Sequence, residues 1–213
     1  MSPPPVPAGA GATLLALGAA TLGESGGRPM EPAVRPAWPG ATLAAPAYTV
    51  RCGPGDNLAI HVAVAGAPPG SALVVATTEP RHRGYWGEVL TTAAEARNLA
   101  GLVIDGGVRD VAALQAHRFP VFSATIALAG ATKVGPGSVG GVVRVGGVDV
   151  RTGDWVIGDA DGVTVVPSDL LAEVTAAGQA RAERETAYFA ALRDGRTTVD
   201  LLGLDASAIE HDG

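Results

Sequence analysis

Residues 84–110 read GYWGEVLTTAAEARNLAGLVIDGGVRD, and the change of periodicity inside this stretch decides the fold. Val89, Leu90, Ala93, Ala94, Arg97 and Ala100 recur at helical spacing, which predicts a short amphipathic helix closed by Gly101. Leu102, Val103 and Ile104 form a continuous apolar run, the pattern of a strand buried on both faces. The strand is expected to end at Asp105 and a Gly106-Gly107 turn, after which Arg109 and Asp110 open a second helix. Carboxylates and a guanidinium then gather at the carboxyl end of a parallel strand, where open α/β sheets bind ligands.

Working upstream, residues 72–77 predict a second buried strand, leading into 84–110 through a loop of charges and rings: Glu79, Arg81, His82, Arg83, Tyr85 and Trp86. Residues 47–52 alternate as a strand, Gly53-Pro54-Gly55-Asp56 is a turn, and Asp56 is placed to cap a helix over 57–65. The prolines at 29, 32, 36, 39 and 46 make 29–46 an extended connection, and 12–23 is helical in pattern. Downstream, the second helix runs to about His117 and Pro120 starts a strand over 121–126. Strand, helix, strand, helix, strand implies right-handed crossovers on a mostly parallel α/β sheet. Beyond Gly130 the chain changes to hairpin signatures: short strands at 142–145, 148–150, 155–158 and 163–166, joined by Gly146-Gly147, Thr152-Gly153-Asp154 and Asp161-Gly162. A long helix over 169–193, with Ser168 as its N-cap, closes the pattern. The expected organisation is a disordered Pro-rich tail (1–11), one domain (12–200) and a C-terminal tail (201–213).

The 213 residues, 47% of them hydrophobic, suffice for one good-sized core, and a net charge of −6 with a single lysine, Lys133, leaves no basic face for a phosphate backbone. Nucleic acid is therefore not an expected partner. The apolar run 10–22 is too short to span a bilayer and has no Lys or Arg before Arg28, so neither a membrane span nor a signal peptide is expected. One cysteine, Cys52, excludes an internal disulfide and fits a cytoplasmic location; it reads as a buried small hydrophobe.

Several motifs reduce to ordinary structure. Gly135-Pro136-Gly137-Ser138-Val139-Gly140 matches a dinucleotide-binding pattern by letter, but a strand rather than a helix follows it, so it is a loop. Asp159, Asp161 and Gly162 lack the rest of a calcium loop and read as a hairpin turn. His61, His82, His117 and His211 show no paired-ligand spacing, and no G-x-S-x-G elbow occurs. Glu88, Arg109 and Asp110 remain. Each carboxylate opens one of two neighbouring helices, which by itself is compatible with helix-dipole stabilisation and a surface ion pair.

Glu88, then twenty residues, then Arg109-Asp110 resembles the signature of the family that joins the divalent-metal 4-hydroxy-4-methyl-2-oxoglutarate aldolases to the regulators of ribonuclease E activity (RraA-like). The likeness continues in PGDNLAIHVAV (54–64), FPVF (119–122) and GDWVIGDADGVTVVP (153–167), and covers roughly residues 18–193. It implies a compact swivelling β/β/α domain with a mostly parallel sheet, a hairpin-rich second layer and a long C-terminal helix, assembled as a homotrimer or hexamer with the site between subunits. It implies further that Asp110 holds Mg²⁺ or Mn²⁺ largely through waters, that Arg109 binds the keto oxygen of a pyruvate-like unit, and that the backbone N–H groups of Val89 and Leu90 take its carboxylate. Glu88 stands where the family's aldolases usually have Asp; there it would hold metal-bound water and pass a proton. Glu185, with Glu183 one register step away, matches the glutamate that reaches a neighbour's site, and Asn57 is a further substrate contact.

A lysine Schiff base would have to use Lys133, which lies in a Gly/Ala-rich segment with no second cation beside it to depress its pKa, so metal-stabilised enolate chemistry is the route left. The function the resemblance implies is a divalent-metal-dependent aldolase cleaving a 4-hydroxy-2-oxo acid to pyruvate, with loss of CO₂ from oxaloacetate passing through the same enolate. The alternatives are a non-catalytic trimeric regulator that binds a protein partner, which lacks an acid at position 88, and a related lyase or hydratase on another oxo acid in a biosynthetic pathway.

Overall fold

The structure, a computed structural model, describes residues 9–78 and 82–210. In chain order, helix α1 (Ala10–Gly23) leads through two-residue strands β1 (Arg28–Pro29) and β2 (Arg35–Pro36) into β3 (Leu43–Cys52). Helix α2 (Leu58–Gly66), strands β4 (Ala72–Ala76) and β5 (Arg83–Trp86), helix α3 (Glu88–Glu95), strand β6 (Gly101–Val108), helix α4 (Val111–His117) and strand β7 (Val121–Ile126) follow. Short strands β8 (Ala129–Gly130), β9 (Gly137–Val139), β10 (Val142–Val145), β11 (Val148–Arg151), β12 (Trp155–Asp159) and β13 (Gly162–Val166) precede helices α5 (Leu171–Arg193) and α6 (Thr198–Leu202).

The main sheet is parallel at its centre, where β4 pairs with β3 and β6, and β6 pairs with β5 and β7. β8 ends one edge parallel to β5, and the remaining additions are antiparallel: β12 joins β3, β13 joins β12, β1 joins β13, β2 joins β7 and β9 joins β3. Both faces of the centre are covered, which is why its strands read as unbroken apolar runs rather than alternating ones. Leu73, Val75, Leu102 and Ile104 pack against Ile60, Leu90, Ala94 and Leu114 on the helical face. Val74 and Val103 face the other way, against Val143, Val145 and Val150 of the β10–β11 hairpin, which forms its own two-stranded sheet. The β12–β13 hairpin instead continues the main sheet, and α1 and α5 cover it through Leu14, Leu22, Trp155, Ile157 and Val174. Among the described residues no helix is long and apolar enough to cross a membrane.

Five local expectations are corrected. Gly106-Gly107 is not a turn; β6 runs on to Val108 through a register shift between Ile104 and Gly107. A Cβ on Gly106 would lie 2.8 Å from Thr77 and 3.0 Å from the Tyr85 ring, so the glycine serves close packing inside a strand. The expected loop at Arg83, Tyr85 and Trp86 is strand β5, paired parallel to β6, whereas Glu79 and Arg81 lie outside the described residues. Strand β3 starts at Leu43 within the proline-rich stretch, with Pro46 opposite Trp155. Ser168 does not cap α5: it lies in a 3₁₀ turn, its N–H donating to Asp154 Oδ1 at 3.1 Å, and the N-cap position belongs to Leu170. Helix α1 starts at Ala10 and breaks at Gly18 (φ 80), where Asp159 Oδ2 accepts the Ala19 N–H at 2.7 Å. The Pro-rich residues 1–8 and His211 also lie outside the described residues.

Candidate active site

At the carboxyl end of β6, the first turns of α2 and α3 and the segment around residues 130–133 enclose a cavity of about 170 Å³. Its lining includes Asn57, His61, Tyr85, Trp86, Val89, Leu90, Arg109, Asp110 and Lys133. Two glycines make room for the charged pair: a Cβ on Gly84 would meet the Arg109 side chain at 3.2 Å, and one on Gly87 would collide with Asp110 Oδ2. Asp110 has left-handed backbone (φ 58), which non-glycine residues adopt rarely and which recurs at functional sites. It occupies the N-cap position of α4 without capping it. Instead Oδ2 accepts the Glu88 N–H at 3.1 Å and lies 3.8 Å from Arg109 Nε.

The α3 start is held rigidly. Trp86 Nε1 donates to Thr91 Oγ1 at 2.7 Å, and the Trp86 ring stacks on Phe119 with centroids 5.9 Å apart. The first intrahelical bond runs from Thr91 N–H to Gly87 O, so the N–H groups of Val89 and Leu90 have no acceptor within the helix and suit an anion.

The α2 side is organised by Asp56. Asp56 is not the N-cap that the sequence suggested, a position Asn57 takes; from one residue earlier its Oδ1 accepts the Leu58 N–H at 2.8 Å, and its Oδ2 accepts Val134 N–H at 2.6 Å and the Thr132 hydroxyl at 2.8 Å. Burial pushes this carboxyl up, but the N–H groups of Leu58, Gly135 and Val134, with the Thr132 hydroxyl, outweigh it and hold the pKa down at about 2. Because Thr132 and Val134 flank Lys133, this buried carboxylate fixes the segment that brings the lysine to the cavity. Asn57 Nδ2 donates to Tyr85 O at 2.8 Å, leaving buried Oδ1 without a partner, and His61 Nε2 is likewise buried and unpartnered. Burial, then the Lys133 charge, push His61 below its ordinary value of 6.5, which favours neutral imidazole.

Of the residues expected from sequence, Asn57, Val89, Leu90, Arg109 and Asp110 come together on this cavity. The Glu88 carboxylate is outside its lining, 57% exposed, with Oε1 3.7 Å from His117 Nε2. His117 Nδ1 is held by Glu95 Oε2 at 2.8 Å. Glu185 lies on α5, 2.8 Å from Arg181, which also pairs with Glu24 beyond α1. Sequence reading missed His61, four residues after Asn57 on α2, and set Lys133 aside on its Gly/Ala-rich neighbourhood. In the fold Lys133 shares the cavity with Arg109 and His61, so that ground for discounting it does not hold.

The residues present suit a hard dication. Among the described residues only one oxygen of Asp110 is engaged, and no group of three or more His, Cys, Asp or Glu side chains gathers anywhere. A lone carboxylate fits an ion that keeps most of its waters. A match to the RraA-like family, described as Aldolase/RraA, spans residues 17–165. The chain belongs to the RraA-like family. A protein of Halalkalibacterium halodurans provisionally named a 4-hydroxy-4-methyl-2-oxoglutarate aldolase is 39% identical over 122 residues, covering 57% of this chain and 58% of its own length. Among solved RraA-like folds, an uncharacterised Pseudomonas syringae pv. tomato protein matches 92% of this chain and 94% of its own at TM-score 0.82 and 25% identity. Streptomyces coelicolor RraAS2, from the RNase ES inhibitor family, matches 86% of this chain and 96% of its own at TM-score 0.72 and 24% identity, a likeness of fold alone. The mixed sheet and long C-terminal helix are thus those of the RraA-like fold.

Proposed function

We propose that this protein is a divalent-metal-dependent carbon–carbon lyase that cleaves a 4-hydroxy-2-oxo acid to pyruvate and can also release CO₂ from oxaloacetate. The observation that supports this most is the convergence of Arg109, Asp110 and the free N–H groups at the α3 start on one cavity. Asp110 would hold Mg²⁺ or Mn²⁺ through its unengaged oxygen and through water; when bound, the cation polarises the 2-oxo group. The Val89 and Leu90 N–H groups orient the substrate carboxylate. Arg109, beside them, stabilises the negative charge that grows on the 2-oxo oxygen as the C3–C4 bond breaks, an interaction strongest in the transition state. Glu88 sits one helical residue from this anion site and would take up the proton-transfer role by turning its side chain from His117 to the cavity.

We assign Glu185 to a neighbouring subunit's site in a homotrimer or hexamer. Val89, Leu128 and Val134 support an assembly: they are 79%, 85% and 88% exposed, and the last two flank the cavity-lining Gly130 and Lys133. Incubation with Mg²⁺ and either 4-hydroxy-4-methyl-2-oxoglutarate or oxaloacetate, following pyruvate, tests the reading. Turnover distinguishes the lyase from a non-catalytic protein-binding regulator. Absence of pyruvate from both acids, with Mg²⁺ and Mn²⁺, would refute it.

A further inference from the structure

We propose that Asn57 and His61 form a hydroxyl-recognising subsite that reads the 4-hydroxyl of the substrate, an inference that rests on the oxo-acid lyase reading above. Asn57 is only 5% exposed, and the Nδ2 donation to Tyr85 O fixes which way its amide points. Its Oδ1 is therefore presented as an acceptor, and no donor meets it. His61 follows four residues after Asn57, the N-cap of α2, with its N–H bonded to Asn57 O at 3.3 Å, so both residues stand at the start of α2. Both line the cavity, and His61 Nε2 is also buried without a partner. Two unpaired buried polar atoms on one cavity wall call for a ligand group that meets both.

A hydroxyl is that group. It donates one hydrogen bond, to Asn57 Oδ1, and accepts another from His61 in its Nε2–H tautomer. A carboxylate or keto oxygen, being only an acceptor, leaves Asn57 Oδ1 unmet. Burial and the neighbouring Lys133 favour neutral imidazole, which keeps His61 from acting as a second cation that would prefer carboxylate over alcohol. The acceptor-rich end of the substrate lies on Arg109 and the α3 start, and the hydroxyl-bearing carbon then lies toward α2. The subsite discriminates a 4-hydroxy-2-oxo acid from the same acid without the hydroxyl.

The test compares wild type, Asn57→Leu and His61→Phe with Mg²⁺, measuring kcat/KM for 4-hydroxy-2-oxoglutarate cleavage and the inhibition constant of 2-oxoglutarate, which lacks the hydroxyl. Each substitution is expected to lower kcat/KM at least about tenfold more than it weakens 2-oxoglutarate, as expected when a hydrogen bond to a substrate hydroxyl is lost. Equal losses on the two ligands, or no loss, overturn the proposal. Asn57→Leu also removes the bond to Tyr85, so where it melts before assay His61→Phe, which keeps that bond, decides alone. If wild type cleaves nothing, the lyase reading fails by itself. Calorimetric binding of the two acids then decides the subsite: a preference of about tenfold or more for the hydroxy acid, lost in His61→Phe, upholds it, and equal affinity in wild type refutes it.

Discussion

Asp110 Oδ2 accepts the backbone N–H of Glu88 at 3.1 Å, which ties the carboxyl end of β6 to the first residue of α3 and puts the acid beside the open N–H groups of that helix. The contact needs a glycine at position 87. The first expectation concerns that glycine: Gly87 has extended backbone (φ −167) that any residue adopts, so Gly87→Ala acts through its new Cβ, which collides with Asp110 Oδ2 and comes within 3.1 Å of Arg109 Cγ. Mn²⁺ affinity, measured by calorimetric titration, should fall about tenfold while the fold persists. Unchanged affinity would show that the carboxylate does not hold the ion.

Arg109→Ala and Asp110→Ala should each lower turnover on the order of 10² or more, because both act on charge that develops mainly in the transition state. EDTA should abolish activity. Borohydride reduction in the presence of pyruvate should leave Lys133 unlabelled; its labelling, given that it lines the cavity, would replace the metal route with a Schiff base.

Asp56 makes stability depend on acid. Its pKa is depressed from 3.8 to about 2, so its contribution is complete above the unfolded value and is lost as pH falls through the folded one. Denaturant melts should show Asp56→Asn less stable than wild type near neutral pH by on the order of 2 kcal/mol, since buried donors lose a charged acceptor. The gap should narrow between about pH 4 and about pH 2. A gap independent of pH would assign the loss to packing.

His117 titrates in the opposite sense. The hydrogen bond that His117 donates to Glu95, then the Glu95 charge and the Glu88 contact, raise it above 6.5, so the stabilisation is present below 6.5 and is lost as pH rises through the folded value. In an NMR titration the His117 midpoint should lie above 6.5 and return toward it in Glu95→Gln. A midpoint that Glu95→Gln leaves in place would show that the α3–α4 contact is not formed in solution.

Glu185 is tested by complementation. Inactive Glu185→Gln mixed with inactive Arg109→Ala under subunit exchange should recover part of the activity, because some interfaces then join an intact Arg109 to an intact Glu185. Fully active Glu185→Gln would reduce the residue to its ion pair with Arg181.

The order of elements around residues 84–110 was legible because burial on both faces leaves a local signature: Leu73, Val74, Val75 and Leu102, Val103, Ile104 have no polar alternation to confuse them. Arg109-Asp110 was singled out by its spacing from Glu88, which resembles a family signature, and not by the apolar run, which ends at Ile104. The Gly106-Gly107 bulge was not, since a glycine needed for packing against Tyr85 reads in one dimension like a glycine needed for a turn. Strand β5 was hidden because only four residues, paired along one edge of β6, make it a strand. The cavity itself is a tertiary product. Asn57 and His61 come from the N-cap and first turn of α2, Lys133 from a segment held by the Asp56 carboxylate, and Arg109 from the end of β6, and each contact spans tens of residues of chain. Local propensity records which residues prefer helix or strand, but which polar atoms are left unpaired on a shared wall is settled only when packing has excluded water from the others.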